Sequence, residues 1–256
     1  MRSSRKHKTM LIKFIMYFLL VSPRNLGVEA SLKEVYYRKV DNRFPSTMDK
    51  CSLQTHSLIS APYKYIACAT FCTQNANCHL FCIKGDACFL FSTWVTADYL
   101  GTDQYYGFTS CYSSWSYAKN LAPIAVATMS SPYDPTIYNE YQAINGYYCS
   151  LYDSCSLTSP INNPWWLADL QKVYVVSALI MKPRDNNYCL SNIEIRFGNS
   201  SIISQNPIFA TYPGVTPFLG IVLTVQPPNP MEGRYLSIQL LGNDCLSICE
   251  LQIIEA

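Results

Sequence analysis

The chain has 256 residues, 19 Lys/Arg against 17 Asp/Glu for a formal net charge of +2, 12 Cys, 20 Tyr and only 3 His. A near-neutral balance excludes nucleic acid as the main partner, because phosphate binding needs a basic face. A hydrophobic share of 49% excludes intrinsic disorder, and the many Cys call for an oxidising compartment or for metal sites. At the N-terminus, basic Arg2, Arg5, Lys6 and Lys8 precede an apolar run from Phe14 to Val21, itself preceded by Met10-Leu11-Ile12 and interrupted by Lys13. The run is shorter than the ~20 residues of a membrane-spanning helix. It fits the core of a secretory signal peptide over residues 1–30, with Val28-Glu29-Ala30 near the cleavage point; an uncleaved amphipathic anchor is the alternative. The expectation is a secreted, extracellular protein with no transmembrane segment. Residues 1–30 carry 6 Lys/Arg and 1 acid, so their removal leaves 13 basic against 16 acidic side chains and a net charge of −3. In that compartment Asn199-Ser200-Ser201 is a usable N-glycosylation sequon, which would make the protein a glycoprotein at Asn199.

After an N-terminal extension over residues 31–44, the mature chain divides by cysteine density. Cys51, Cys68, Cys72, Cys78, Cys82, Cys88 and Cys111 crowd the first half, and Cys149, Cys155, Cys189, Cys245 and Cys249 are spread through the second. Cys68 and Cys72 are four apart, so on a helix over residues 63–73 both face one way. Turns at Asn75-Ala76-Asn77 and Lys84-Gly85-Asp86 then return the chain toward Cys78 and Cys88. A zinc cluster uses similar residues, but in a secreted chain these spacings favour disulfides. The run CATFCTQNANCHLF from Cys68, followed by CFLF from Cys88, resembles the PAN/apple superfamily over residues 45–112. That resemblance implies a small disulfide-rich α+β domain, its helix stapled to an antiparallel sheet by Cys68–Cys88 and Cys72–Cys78, with Cys51–Cys111 closing the ends. Cys82 is extra to the pattern.

A polar linker is expected over residues 113–119. Beyond it, β-branched and aromatic runs at 167–181, 193–197, 218–225, 234–241 and 249–254 alternate with Pro, Gly, Asn and Ser clusters. Several short strands at this spacing predict a mainly β chain whose second half is a β-sandwich or barrel.

Ala127-Thr128-Met129-Ser130-Ser131, Asn163-Pro164-Trp165-Trp166-Leu167-Ala168-Asp169-Leu170, Gly233-Arg234-Tyr235-Leu236 and Cys249-Glu250-Leu251 occur in the order seen in F-type lectins (fucolectins). The resemblance covers residues 120–256 and implies a discoidin-like jelly-roll. In that family a His and an Arg-x-Asp-x4-Arg loop hold fucose. Counted from the Trp pair, the His position falls on Leu157, the first Arg on Arg184 and the Asp on Asp185 or Asn186. The second Arg is missing, with Cys189-Leu190 in its place. Leucine offers no hydrogen bond to a sugar hydroxyl, so the implied fucose site is degenerate. The family's structural calcium maps to Asn145, Ser154 and Glu250, with Asn145 where the family has Asp; calcium accepts neutral oxygens at lower affinity. The resemblance further implies Cys155–Cys249. Seven Cys in one half and five in the other are both odd, so full pairing needs a bridge between halves or one free thiol in each. Cys189–Cys245 and Cys82–Cys149 complete one such set.

The resulting expectation is a lectin-like carbohydrate-binding protein for glycans or glycoproteins, with Arg184 and Asp185 as hydrogen-bonding groups and Tyr147, Tyr148 and Tyr152 as stacking rings beside the 134–138 loop. The alternative is a non-lectin cell-adhesion or structural protein that contacts extracellular protein partners through both halves. Enzyme function is not expected. His56 and His79 lie in the cysteine-rich segment, no H-E-x-x-H, G-x-S-x-G or phosphate loop occurs, and Asp169 reads as a hydrogen-bonded strand residue.

Overall fold

In the computed structural model, residues 11–21, 28–44, 48–93, 95, 107–114, 119–146, 154–184, 189–215 and 222–256 are described. Their apolar β-branched and aromatic runs form two groups of antiparallel strands. The first group comprises β1 (Leu11–Val21), β2 (Val28–Val40), β3 (Gln54–Ser57), β4 (Leu80–Lys84), β5 (Ala87–Phe91) and β6 (Ser110–Ser114), in the sheet order β1-β2-β6-β4-β5-β3. Gly85, at φ 59°, turns the β4–β5 hairpin in a left-handed conformation that costs glycine little. Helix α1 (Lys64–Gln74) starts without a side-chain cap and buries Cys68, Ala69 and Cys72. These pack with Tyr37, Phe81 and Leu90 of the sheet.

Covalent staples hold this thin core. Cys68–Cys88 ties α1 to β5, and Cys72–Cys78 closes the turn after the helix. Two pairings of Cys82 and Cys111 are corrected. Neither Cys51–Cys111 nor Cys82–Cys149 forms, because Cys82 on β4 and Cys111 on β6 face one another directly in the ladder, 4.1 Å apart at Cα, and bond to each other. Cys51 is also disulfide-bonded. The other described cysteines pair among themselves, so its partner lies outside the described residues.

Two segments differ from their sequence reading. Leu11–Val21, expected inside a leader, pairs along its length with β2, and Tyr37 to Val40 of β2 continue onto β6. The Ile, Phe, Tyr and Val content that makes a leader apolar also suits a strand. Residues 1–10 and 22–27 lie outside the described residues. The expected linker likewise begins inside β6, where Ser113 and Ser114 are ladder residues; 115–118 lie outside the described residues.

The second group is the sandwich: β7 (Val126–Met129), β8 (Ser156–Leu157), β9 (Ile161–Asn162), β10 (Trp165–Lys182), β11 (Ser191–Gly198), β12 (Ile208–Val215), β13 (Leu223–Val225), β14 (Met231–Leu240), β15 (Asn243–Asp244), β16 (Ser247–Ile248) and β17 (Glu250–Glu255). The long β10 organises it. Its first half runs between β7 and β14, and β14 leads on to β11 and β12; its second half pairs with β17 and β13. β7 stops at Asp169, where the β10–β14 ladder shifts register before Tyr174 and Gln171 takes φ 68°; β14 stays paired to Val176, beyond which β17 and β13 take over. Trp166, Leu170, Phe197, Phe209, Leu236, Ile238, Leu251 and Ile253 fill the core between. The Trp166 indole N–H donates to the Glu140 carbonyl at 2.9 Å, which gives the buried ring its polar partner. Asp169 accepts a two-pronged hydrogen bond from Arg234 at 2.6 and 2.8 Å and lies in a structural ion pair. Strand β12, whose Pro213 and Gly214 disguise it in the sequence, pairs with β11 through Ile208 to Val215. The expected 218–225 strand is present as Leu223–Val225; residues 216–221 lie outside the described residues.

Candidate functional site

One disulfide, one ladder pairing and two further backbone hydrogen bonds gather the relevant residues at one end of the sandwich. Cys155–Cys249 joins the segment before β8 to the start of β17, so Ser154 and Glu250 each stand one residue from the bridge. β8 pairs with β16 through Leu157↔Ser247, and the Ser247 N–H donates to the Cys189 carbonyl at 2.7 Å. The Cys249 N–H donates to the Lys182 carbonyl at 3.0 Å, which brings the end of β10, and with it Arg184, to the same place.

Glu250 is the electrostatic centre of this end. Its side chain is 3% exposed, it accepts a hydrogen bond from the Gly146 backbone N–H, and its Oε2 has no hydrogen-bond partner among the described residues. Burial pushes its carboxyl well above the usual range; the Gly146 N–H and the positive charge of Lys182 oppose this incompletely. Ser154 is buried beside the same disulfide. Asn145 adjoins Gly146 but is exposed, and its amide donates to Gln142 Oε1 at 2.6 Å. A buried carboxylate oxygen without a hydrogen-bond partner among the described residues, with buried Ser154 one residue from the same disulfide, offers hard oxygens of the kind a divalent cation takes.

Around Leu157 the chemistry is apolar. Leu157 packs with Tyr138 and the Cys189–Cys245 disulfide, all buried. It exchanges backbone hydrogen bonds with the 133–138 loop, donating to the Tyr138 carbonyl and accepting from the Tyr133 N–H. The neighbouring Asp244 makes no metal site with Cys189 and Cys245, whose sulfurs are spent on each other. Arg184 is 7% exposed, a buried side chain and not an open surface group. Asp185, Tyr147, Tyr148 and Tyr152 lie outside the described residues. On the described side of this end the exposed rings are Tyr133, at 57%, and Tyr141, at 46%, with Ile137 between them. Tyr133 is held edge-on to Tyr138 at 6.0 Å, and Asp134 braces its loop by accepting from the Thr136 N–H and hydroxyl, which holds its carboxyl below the usual range. Sequence reading missed Tyr133 and Tyr141, and it placed Lys182 only as the first residue of a 182–187 site loop, without a role; a lysine closing the apolar run Ala178-Leu179-Ile180-Met181 was the available signal for its burial. Asn199 is exposed at the start of a turn organised by Asn206, which bonds both the N–H and the carbonyl of Ser200.

Fold and site together describe a disulfide-stapled antiparallel β-sandwich, one end of which carries a buried carboxylate, a buried arginine and exposed aromatic rings. The chain is similar to fucolectins. It is 30% identical to Fucolectin-1 of Anguilla japonica over 105 residues, covering 39% of this chain and 57% of that protein. It is 33% identical to Fucolectin-4 of the same species, again over 39% of this chain and 56% of the relative. The chain thus spans little more than half the length of these curated relatives. Among solved structures it is similar to a fucolectin from Morone saxatilis serum, with 26% identity, a TM-score of 0.48 and coverage of 66% of this chain and 57% of the other. No family model matches the chain.

Proposed function

We propose that this is a secreted, carbohydrate-binding recognition protein whose lectin site is a degenerate form of the fucolectin site, built at the Leu157–Arg184 end of the sandwich. The observation that carries the reading is an apolar floor of Leu157, Tyr138 and Cys189–Cys245 with the exposed rings of Tyr133 and Tyr141 on the neighbouring segments, Arg184 being buried at the same end. Sugars offer apolar faces to aromatic rings and hydroxyls to arginine forks. With leucine at the position that supplies a His in the resembled family, ring stacking takes a larger share of binding and hydroxyl recognition a smaller one. Asp185, Tyr147, Tyr148 and Tyr152 are the remaining proposed ligand residues. The likeness to fucolectins supports this reading and favours binding over catalysis; no enzymatic step is assigned.

Glu250, Ser154 and Asn145 would hold a calcium ion, supported by the unpartnered Oε2 of buried Glu250. Such an ion would neutralise the carboxylate and hold the segments carrying Asn145 and Ser154 against β17. The cysteine-rich half is proposed as an apple-like companion, on the strength of α1 stapled to its sheet by Cys68–Cys88. Secretion with removal of residues 1–30 would leave the Tyr37–Val40 part of β2 on β6. Among the described residues no helix is long and apolar enough to cross a membrane. A glycan array with and without calcium tests the function. The expected result is saturable binding to a defined set of glycans, weakened in Tyr133→Ala and in Tyr141→Ala; absence of binding to every glycan in both conditions refutes it.

A second reading rests on a separate observation. Ile59, at 78% exposure, and Tyr63, at 62%, are exposed apolar side chains on the segment leading into α1, of the kind used in protein contact. Capture of a partner unaffected by free sugars and by chelator would favour it.

A further inference from the structure

Lys182 ends β10 directly across from Glu250 in the β10–β17 ladder. Side chains alternate along both strands. Leu179 and Met181 of β10 and Leu251 and Ile253 of β17 point into the sandwich core, whereas Ala178, Ile180 and Lys182 share the opposite face with Ile254, Gln252 and Glu250. That outer face is covered as well: Lys182 is 5% exposed, Ile180 7% and Gln252 1%. A lysine buried to this degree needs a polar partner. The Lys182 Nζ donates to Ser92 Oγ at 3.1 Å, and Ser92, just past β5 in the cysteine-rich half, is itself 2% exposed. One ammonium therefore links a hydroxyl of the first half to the neighbourhood of a buried carboxylate of the second.

We propose that Lys182 sets the cation affinity of the Glu250 site, acting as a resident ammonium that competes with a divalent cation and is held toward the cysteine-rich half by Ser92. The proposal rests on the reading that Glu250 helps to hold a cation. Two positive charges near one carboxylate repel more strongly in a buried, low-dielectric setting than in water. The four-carbon stem of lysine lets its ammonium reorient, and Glu250 Oε2 has no hydrogen-bond partner among the described residues. Docking of the cysteine-rich half onto β10 is thereby coupled to the ion: with Ser92 in place the ammonium is partly satisfied elsewhere, and without it the ammonium turns to Glu250. Arg184, two residues on and also buried, adds fixed positive charge at the same end.

The test is calorimetric titration of the full chain with calcium chloride alone in metal-free buffer, for the unmodified protein, Lys182→Met, Ser92→Ala and the double variant. Lys182→Gln replaces Lys182→Met if the latter fails to fold, judged by near-ultraviolet circular dichroism. Lys182→Met should bind calcium about tenfold tighter or more, given the strength of charge repulsion at a buried site. Ser92→Ala should bind severalfold more weakly, and the double variant should match Lys182→Met, because Ser92 acts only through the ammonium. Calcium binding in Lys182→Met alone would also support the proposal. Equal or weaker binding by Lys182→Met than by the unmodified chain overturns it, as does weakening by Ser92→Ala in the Lys182→Met background. Absence of calcium binding in all four proteins overturns the cation reading itself, and the proposal with it.

Discussion

Glu250→Gln is the perturbation with the clearest sign. Glu250 is buried and receives one backbone hydrogen bond, from Gly146, so its folded-state carboxyl titrates above its unfolded value. The folded chain without a cation then binds more protons than the unfolded chain, and stability falls as pH rises from the unfolded carboxylate range through the folded one. The loss approaches about 1.4 kcal/mol per pH unit while one proton separates the two states. Glutamine keeps an oxygen for the Gly146 N–H and carries no charge to bury. In chelator, Glu250→Gln should therefore gain stability relative to the unmodified chain as pH rises from about 4.5 toward 7, with equal stabilities at the acid end. Calcium should reverse the order near neutral pH by binding the ionised carboxylate of the unmodified chain only, with stabilisation growing as ligand exceeds its Kd. Urea melts across pH, in chelator and in calcium, measure all four curves. Parallel pH profiles for the two proteins in chelator would refute the reasoning about burial, and equal calcium responses would refute the assignment of Glu250 to the ion.

The remaining predictions concern the frame around that site. Trp166→Phe keeps the core filled but strands the Glu140 carbonyl, at a cost of about 1–3 kcal/mol in chemical denaturation; an unchanged midpoint refutes the role of that bond. In Gly233→Ala the new Cβ would lie 2.8 Å from the Gly198 backbone, an overpacking that should lower stability by about 1–3 kcal/mol, read as a reduced Tm. Asp169→Asn breaks the fork to Arg234, whose side chains are 22% and 37% exposed, so solvent screening limits the loss to about 1 kcal/mol or less; a larger loss would mean that the pair does more than brace β10 on β14. Non-reducing peptide mapping should recover Cys68–Cys88, Cys72–Cys78, Cys82–Cys111, Cys155–Cys249 and Cys189–Cys245. The same map should link Cys51 to Cys149, the one remaining cysteine; a free Cys51 or a cross-link to a second chain would contradict this.

Much of the frame was legible in the chain because it depends on local pattern. Cys68 and Cys72 at helical spacing placed α1, and the apolar runs placed β10, β11, β14 and β17 to within a few residues. Strand β12 was missed because Pro213 and Gly214 read as a turn, while the ladder that accommodates them is supplied by distant β11. The Cys82 pairing was misjudged for a related reason. Sequence spacing says nothing of which residue stands opposite which, and the β4–β6 register put Cys111 there.

At the site, the sequence by itself determined which chemistry is present: a leucine at 157, an arginine at 184, and a glutamate behind a cysteine at 250. Composition and motif order also determined a mainly β chain, since alternation and turn residues act over a few positions at a time. Tertiary structure alone decided the environment of those groups. It buried Arg184 and Glu250, left Glu250 Oε2 without a hydrogen bond among the described residues, and set Lys182 across from Glu250 and onto Ser92, ninety positions earlier in the chain. The charge state of a carboxyl and the partner of an ammonium depend on solvent exclusion and through-space distance, and a chain acquires both only when its remote segments pack together.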